Sequence, residues 1–208
     1  MDDVYAPNYN PPESSSGINP AEEKKGVFGR LRSNFVDFLQ TLVVFGAIFA
    51  IIYLFVAQPH KVSGQSMFPN FHNGDYILTD KISYRFYPPK YGDVIVLRNP
   101  RNESQDFIKR IIALPGQTIK VENTSVYVNG LKLDERYLPS GTPTRGGSFL
   151  RDGEIVTVPE DQWVVIGDNR EHSSDSREIG PIPQKQIIGR VFFRYFPLNA
   201  LGLIPYNF

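Results

Sequence analysis

The chain has 208 residues, 41% of them hydrophobic, which is enough for one medium-sized domain with additional segments. Its 22 lysines and arginines balance 22 aspartates and glutamates, which argues against a broad electrostatic attraction for nucleic acid. It has no cysteine, which excludes disulfides and thiolate nucleophiles, and its three histidines lack the spacing of metal ligands.

The N-terminal segment, residues 1–33, is predicted to be a disordered tail in the cytoplasm. Residues 1–25 contain four prolines and a run of three serines, with little apolar periodicity. Such a composition cannot bury enough apolar surface to fold. The end of the segment is basic, with Lys24, Lys25, Arg30 and Arg32 close to the apolar stretch that follows.

Residues 34–57 are predicted to form a transmembrane anchor. The stretch from Phe38 to Ala57 carries no charge across 20 residues, about the length that a membrane-spanning helix needs. A cleavable signal peptide would have a shorter apolar core nearer the N-terminus and a small-residue cleavage site, and a buried helix of a soluble protein is rarely apolar on every face. The preceding basic residues place that end in the cytoplasm, so we expect residues 58–208 to lie outside the cytoplasmic membrane.

Residues 58–208 are predicted to be a mostly β domain built on antiparallel sheet. Short apolar runs between glycines and prolines, without a long helical period, indicate strands at 75–79, 93–97, 125–128, 131–133, 163–166 and 191–195. Asn129-Gly130 accepts the positive φ angles of a type I′ turn and predicts a small hairpin, within an insertion at about 117–160.

A first candidate for chemistry is the serine of SGQSMFP, residues 63–69. Gly64 allows the backbone to approach other groups closely, and Pro69 stiffens the exit from the turn. Such a turn can expose the hydroxyl of Ser66, although serine and glycine also form ordinary turns.

A second candidate is Lys109 in FIKRIIALPG, residues 107–116. It is either a surface lysine on an edge strand, where charge discourages aggregation, or a lysine held against apolar neighbours. Burial would lower the pKa of its ammonium group, and a neutral amine can serve as a general base for a serine nucleophile.

A third segment, GDNREHSSDSREIGPIP at residues 167–183, concentrates groups that can pair with one another. A surface loop can be this polar by chance, but so many complementary groups are expected to order something. They are Asp168, Arg170, Ser173, Ser174, Asp175, Ser176 and Arg177.

These segments resemble the bacterial type I signal peptidases, the Ser–Lys enzymes of serine peptidase family S26 that remove signal peptides from exported proteins. The resemblance covers the anchor and nearly all of residues 58–208. It rests on five blocks in the family's order: the apolar span, SGQSMFP, GDYILTDK, FIKRIIALPG, and GDNREHSSDSR followed by GPIP. The ending GRVFFRYFPLNALG is similar as well. The resemblance implies the antiparallel β fold that these enzymes share with the self-cleaving repressors of the DNA-damage response.

The resemblance also implies a role for each matching residue. Ser66 would be the nucleophile, Lys109 its general base, and Ser173 the serine that hydrogen-bonds and orients the lysine. Neither a metal nor an organic cofactor is implied. The other positions support the site or line it: Asp175 and Arg177 as a supporting pair, Arg110 and Asp168 as a tie between the lysine strand and the last loop, Met67 beside the nucleophile, and Phe107 and Ile108 as walls of the substrate pockets.

The chain departs from some members of the family at Gly64. Those members have a serine at this position, whose hydroxyl helps to bind the oxyanion. The backbone N–H of Ser66 would supply one donor, and the second donor is left open, with Ser63 as one candidate. Loss of one such donor typically costs about 10²–10³ in rate.

The implied substrate is an exported preprotein with small residues, commonly alanine, one and three positions before the cut. It would lie extended beside the lysine strand and pair through its backbone. The role also implies contact with the lipid bilayer and with the secretion translocon. Two alternatives stay open: a membrane-tethered binding module without catalytic activity, and another Ser–Lys protease of related fold.

The histidines offer a different base. Eukaryotic and archaeal relatives use a histidine in place of the lysine, but His172 falls at a variable spacer position of the final loop. His60 and His72 are predicted to be ordinary surface groups.

Overall fold

The structure, a computed structural model, describes residues 27–102 and 104–205. The chain divides into two units, Met1–Ala47 and Ile48–Phe208. The first described element is α1, Val27–Ile51, which continues into a π-helical turn, Ile52–Val56. The window Asn34–Ile51 has a mean hydropathy of 1.8 and none of it is buried. This helix is therefore long and apolar enough to cross a membrane.

The helix differs from the predicted anchor at both ends. Most of the predicted tail, residues 1–26, lies outside the described residues, but residues 27–33 are helical rather than disordered. No proline interrupts residues 27–58, so nothing in that backbone breaks the helix early. At the other end Ala57 begins a strand instead of completing the anchor.

The rest of the described chain is built mainly from short strands. In chain order these are β1 Ala57–Lys61, β2 Tyr76–Asp80, β3 Val94–Arg98, β4 Asp106–Ala113, β5 Thr118–Glu122, β6 Ser125–Val128, β7 Leu131–Lys132, β8 Ile155–Thr157, β9 Gln162–Ile166, β10 Ile182–Pro183, β11 Ile187–Phe196 and β12 Gly202–Leu203. A four-residue helix, α2 Ser176–Ile179, lies between β9 and β10.

The strands form two antiparallel sheets. The larger has the order β1-β2-β11-β3-β4-β9-β10, with β12 paired to β11. The smaller has the order β7-β6-β5-β8 and fills the predicted insertion, which is thus a four-stranded sheet rather than a hairpin alone. Its β6–β7 turn has the predicted geometry, because Asn129 and Gly130 have φ angles of 51° and 78°.

Strand β4 is buried from Ile108 onward, and from Arg110 onward it lies between two other strands of the larger sheet. It pairs with β3 through Asp106–Arg110 and with β9 from Arg110 onward. Ile108, Ile111 and Ile112 enter three different hydrophobic clusters. The interpretation of Lys109 as a surface lysine on an edge strand is therefore wrong, since the residue is 3% exposed.

Candidate active site

Ser66 lies in the loop between β1 and β2. Gly64 has a φ of +96°, a conformation that a side chain would strain, and its N–H donates to Asn73 Oδ1 at 3.0 Å. On the other side of Ser66, Met67 is 1% exposed and packs into the hydrophobic cluster that contains Phe71 and Ile108. A bent backbone on one side and a buried methionine on the other thus hold Ser66, which is itself half-buried.

Lys109 reaches Ser66 from strand β4. Its Nζ lies 2.9 Å from Ser66 Oγ and donates to the Ile108 carbonyl at 3.1 Å. It also lies 4.8 Å from the centre of the Phe107 ring. The pKa of Lys109 is lowered to about 8, mainly by burial; the Asp175 carboxylate offsets part of this effect, Arg177 adds to it, and Asp168 offsets part of it. A substantial fraction of this lysine is therefore neutral near pH 8 and can accept the serine proton.

The residue after the lysine makes a buried ion pair with the final loop. Arg110 Nε and Nη2 donate to the two carboxylate oxygens of Asp168 at 2.7 and 2.6 Å, and Arg110 also donates to the Gly92 carbonyl at 3.0 Å. The side chain of Asp168 is fully buried and that of Arg110 is 4% exposed. The two residues therefore join β4 to the segment that follows β9.

Asp175 and Arg177 make a second buried pair. Their two hydrogen bonds are both 2.8 Å long. Asp175 also accepts from the Gly167 N–H at 3.0 Å and caps the start of α2 by accepting from the Arg177 N–H. The pair thus fixes the far end of the final loop to the end of β9.

Among the described residues, Ser173 makes no hydrogen bond to Lys109. Its Oγ is buried and has no hydrogen-bond partner among residues 27–102 and 104–205, so the bond to Lys109 stays a prediction. It is nevertheless close to the nucleophile. A Cβ on Gly167 would lie 2.2 Å from Ser173 Oγ and 2.4 Å from the Ser66 carbonyl oxygen. Only a glycine at 167 allows these three residues to meet.

A groove of about 310 Å³ opens beside Ser66 and Lys109. Both predicted wall residues, Phe107 and Ile108, line it, as do Ser63 and Gly64. The other apolar residues of its wall are Val62, Ile77 and Val96. The groove therefore presents an apolar surface next to the proposed nucleophile.

The histidines fall at three different places. His172 lines the groove but makes no side-chain hydrogen bond to Ser66 or Lys109 in the described part of the chain. His72 is exposed, and its ring lies at nearly a right angle to the Phe68 ring, with the ring centres 5.3 Å apart. His60 was predicted to be an ordinary surface group, yet it is half-buried, lines the groove and hydrogen-bonds Thr79 Oγ1 through Nδ1 at 3.0 Å. Side chains alternate between the two faces of β1, and this alternation turns the His60 ring inward. The sequence did not predict β1, so it could not predict this orientation either.

Four residues near the site were not found from the sequence. Asn70 Nδ2 donates to Asp168 Oδ2 and to the Tyr137 carbonyl, both at 2.8 Å, and the Arg110 guanidinium lies 4.2 Å from the centre of the Tyr137 ring. Asn70 and Tyr137 are two of the four residues, and the other two are Gly167 and Asn169. Asn70 directly follows SMFP and Asn169 directly follows Gly167-Asp168, so nearness to a motif was the available signal. No group of three or more potential metal ligands occurs in the described residues.

Comparisons with known proteins identify the family of this chain. The family described as "Signal peptidase, peptidase S26" matches residues 35–196. The chain belongs to this family. It is therefore a serine peptidase of the class that removes signal peptides from preproteins.

Several signal peptidases I are similar to this chain. "Probable signal peptidase I-1" of Synechocystis sp. is 41% identical over 155 residues, which cover 71% of this chain and 76% of that protein. "Signal peptidase IB" of Staphylococcus aureus is 30% identical over 189 residues, 86% of this chain and 96% of that protein. The crystal structure of a signal peptidase I from Enterococcus faecalis is 31% identical and has a TM-score of 0.43. It covers 50% of this chain and 97% of that one.

Proposed function

We propose that Ser66 and Lys109 form the catalytic dyad with which this signal peptidase cuts exported preproteins at the outer face of the cytoplasmic membrane. The observation that carries the proposal is the 2.9 Å contact between Ser66 Oγ and Lys109 Nζ, made by a lysine whose burial lowers its pKa to about 8. A serine hydroxyl is a weak nucleophile until an adjacent base takes its proton.

The reaction proceeds in two steps. In the first, Ser66 gives its proton to neutral Lys109 and its Oγ attacks the carbonyl carbon before the scissile bond. The carbon–nitrogen bond then breaks, and Lys109 returns the proton to the leaving amine, which leaves an ester on Ser66. In the second step Lys109 takes a proton from water and the hydroxide attacks the ester carbon. The bond from that carbon to Ser66 Oγ then breaks, Lys109 returns the proton to Oγ, and the signal peptide leaves with a new carboxyl group, which ionises.

The substrate is proposed to add a strand beside the first half of β4. Among the described residues, only β3 pairs with Asp106–Lys109, because β9 begins its pairing at Arg110. The free edge of these residues lines the groove together with Val62 and Ser66. An extended peptide can pair with such an edge through its backbone, and the walls at Phe107 and Ile108 would favour the small side chains that precede the cut.

The membrane side of the proposal rests on α1. Lys24 and Lys25 precede this helix and Arg30 and Arg32 lie in its first two turns, which favours a cytoplasmic N-terminal end. The β unit then lies outside, where signal peptides emerge, with the bilayer and the secretion translocon as neighbours. Ser66 follows the last helical residue, Val56, by ten positions in the sequence, a short tether between anchor and nucleophile.

The direct test is cleavage of a preprotein with an Ala-x-Ala site by the full chain in detergent, with the product's new N-terminus identified by mass spectrometry. Ser66→Ala should abolish cleavage, and Lys109→Ala should lower it by about 10²–10⁴-fold, the usual contribution of a general base. Exposed Ser104 and Lys90 provide matched controls, and their alanine variants should cut at the wild-type rate.

Two results would contradict the proposal. Cleavage at close to the wild-type rate by a folded Lys109→Ala variant would remove the lysine as base and return attention to His172. A folded wild-type chain that leaves several such preproteins intact would favour the non-catalytic binding module.

A further inference from the structure

Asn169 holds both peptide groups that flank the nucleophile. Its backbone N–H donates to the Ser66 carbonyl at 3.0 Å. Its side-chain Nδ2 donates to the Gln65 carbonyl at 3.1 Å. The Gln65 carbonyl also accepts from the Phe68 N–H at 3.1 Å. The peptide groups before and after Ser66 are therefore both restrained.

The restraint on the Gln65 carbonyl has a geometric consequence for the next N–H. A trans peptide is planar, and its C=O and N–H point in opposite directions. Fixing the Gln65 oxygen against Asn169 and Phe68 therefore fixes the direction of the Ser66 N–H, which points away from both. No acceptor for that N–H occurs in the described residues. This N–H belongs to the nucleophile itself and is therefore available to the carbonyl that Ser66 attacks.

The neighbours of Asn169 keep it in place. Asp168 is held by Arg110 and by Asn70. On the other side, Arg170 is buried and donates to the Gly167 carbonyl, and its guanidinium pairs with Glu135 at 2.5 Å. Because both flanking residues are anchored in the β unit, Asn169 is presented to the nucleophile loop on a rigid support rather than on a mobile loop.

We propose that Asn169 is a positioning residue that aims the Ser66 N–H at the oxyanion formed during acyl transfer. The inference rests on the proposed function. It adds that Asn169 is the residue that orients the Ser66 N–H. Among the described residues, the side-chain amide of Asn169 hydrogen-bonds the Gln65 carbonyl and neither Ser66 Oγ nor Lys109 Nζ. It acts through the Gln65–Ser66 peptide, so its loss should affect the transition state more than substrate binding.

The test compares full-length Asn169→Ala and Asn169→Asp with the wild type in detergent. Asp has the shape of Asn but no N–H donor, so it removes the bond to Gln65 with the least disturbance of packing. With an Ala-x-Ala preprotein, we expect kcat to fall about 10- to 100-fold, below the 10²–10³ cost of losing a donor outright, while KM stays within about two-fold. Asn199→Ala, in an exposed turn, is the matched control and should retain both constants.

A peptide aldehyde that ends in alanine supplies a readout that a general structural defect would not give. Ser66 Oγ bonds to the aldehyde carbon, the serine proton passes to Lys109 or to the new oxygen, and that oxygen occupies the oxyanion site. The affinity for the aldehyde should fall in proportion to kcat, while the affinity for the same peptide with a terminal carboxamide should not change.

The outcomes distinguish a positioning role of Asn169 from a merely structural one. Parallel losses in kcat and aldehyde affinity support the positioning role. A kcat within about two-fold of wild type in Asn169→Asp, or a lowered kcat with unchanged aldehyde affinity, overturns it. If Asn169→Ala does not fold, the isosteric Asn169→Asp variant decides alone. Failure of the wild type to cut the preprotein would contradict the proposed function itself.

Discussion

Lys109 is a charged residue type placed where a charge is costly. It is 3% exposed, and its Nζ has Ser66 Oγ and the Ile108 carbonyl as partners rather than a carboxylate. Burying an ammonium without a direct counter-ion favours the neutral amine, which is the form that a general base needs. A lysine that paired directly with a carboxylate at this position would keep its proton and could not accept one from a serine.

Arg110 faces the opposite situation, because its charge is neutralised by Asp168. Asp168→Asn would leave the guanidinium buried without a counter-charge, so we expect the free energy of unfolding to fall by about 3–5 kcal/mol. Asp134→Asn, in the exposed pair of Asp134 with Arg136, is the matched control and should cost about 0–1 kcal/mol.

Both variants can be measured by denaturant titration in detergent. The chain has one tryptophan, Trp163, which is buried in β9 and gives a fluorescence probe of unfolding. Equal costs at Asp168 and Asp134 would show that the buried pair does not support the fold as described.

Among the elements, β9 and the segment after it carry the second half of the site. β9 pairs with β4 from Arg110 onward. After β9 the chain passes so close to the nucleophile loop that Gly167 has no room for a side chain. Gly167→Ala places a methyl group against Ser66 and Ser173. We expect cleavage to fall at least about ten-fold and stability to fall by about 1–3 kcal/mol, the usual cost of overpacking.

Gly202→Ala is the control for this prediction. Gly202 has no positive φ, and a Cβ there meets nothing within 4 Å, so this variant should match the wild type in cleavage rate and stability. A Gly167→Ala variant with wild-type cleavage would mean that the loop and β9 can separate without loss of the site.

The central strands were predictable from local sequence. The apolar runs at 75–79 and 93–97 correspond to Tyr76–Asp80 and Val94–Arg98, because alternating or continuous apolar residues record burial directly. β1, Ala57–Lys61, was missed, since it contains Pro59 and polar residues and owes its form to pairing with β2. Such an edge strand has little local signal.

The site was predictable only in part. Ser66 and Lys109 are 43 positions apart, and no local pattern gives their contact, so the pairing was inferred from the resemblance. The bonds of Asn169 to the nucleophile loop depend on how β9 ends relative to that loop. Such a relation exists only in the folded chain.

At the scale of the whole molecule, the proposal depends on which side of the membrane each unit occupies. The chain has no cysteine, so single cysteines report their location without background. Ser15→Cys, before α1, should react with a membrane-impermeant maleimide only after the cells are permeabilised. Ser140→Cys, in an exposed loop of the β unit, should react in intact spheroplasts. The reverse pattern would contradict the orientation that the basic residues predict.

The most direct test of the central claim is the pH dependence of kcat/KM for preprotein cleavage. This constant reports the ionisation of the free enzyme, and the base must be neutral to act. With Lys109 as the base and a pKa of about 8, kcat/KM should rise about ten-fold per pH unit below that value and level off above it. A midpoint near 6.5, as expected of a histidine, or a rate that does not change across this range, would contradict the Ser66–Lys109 dyad.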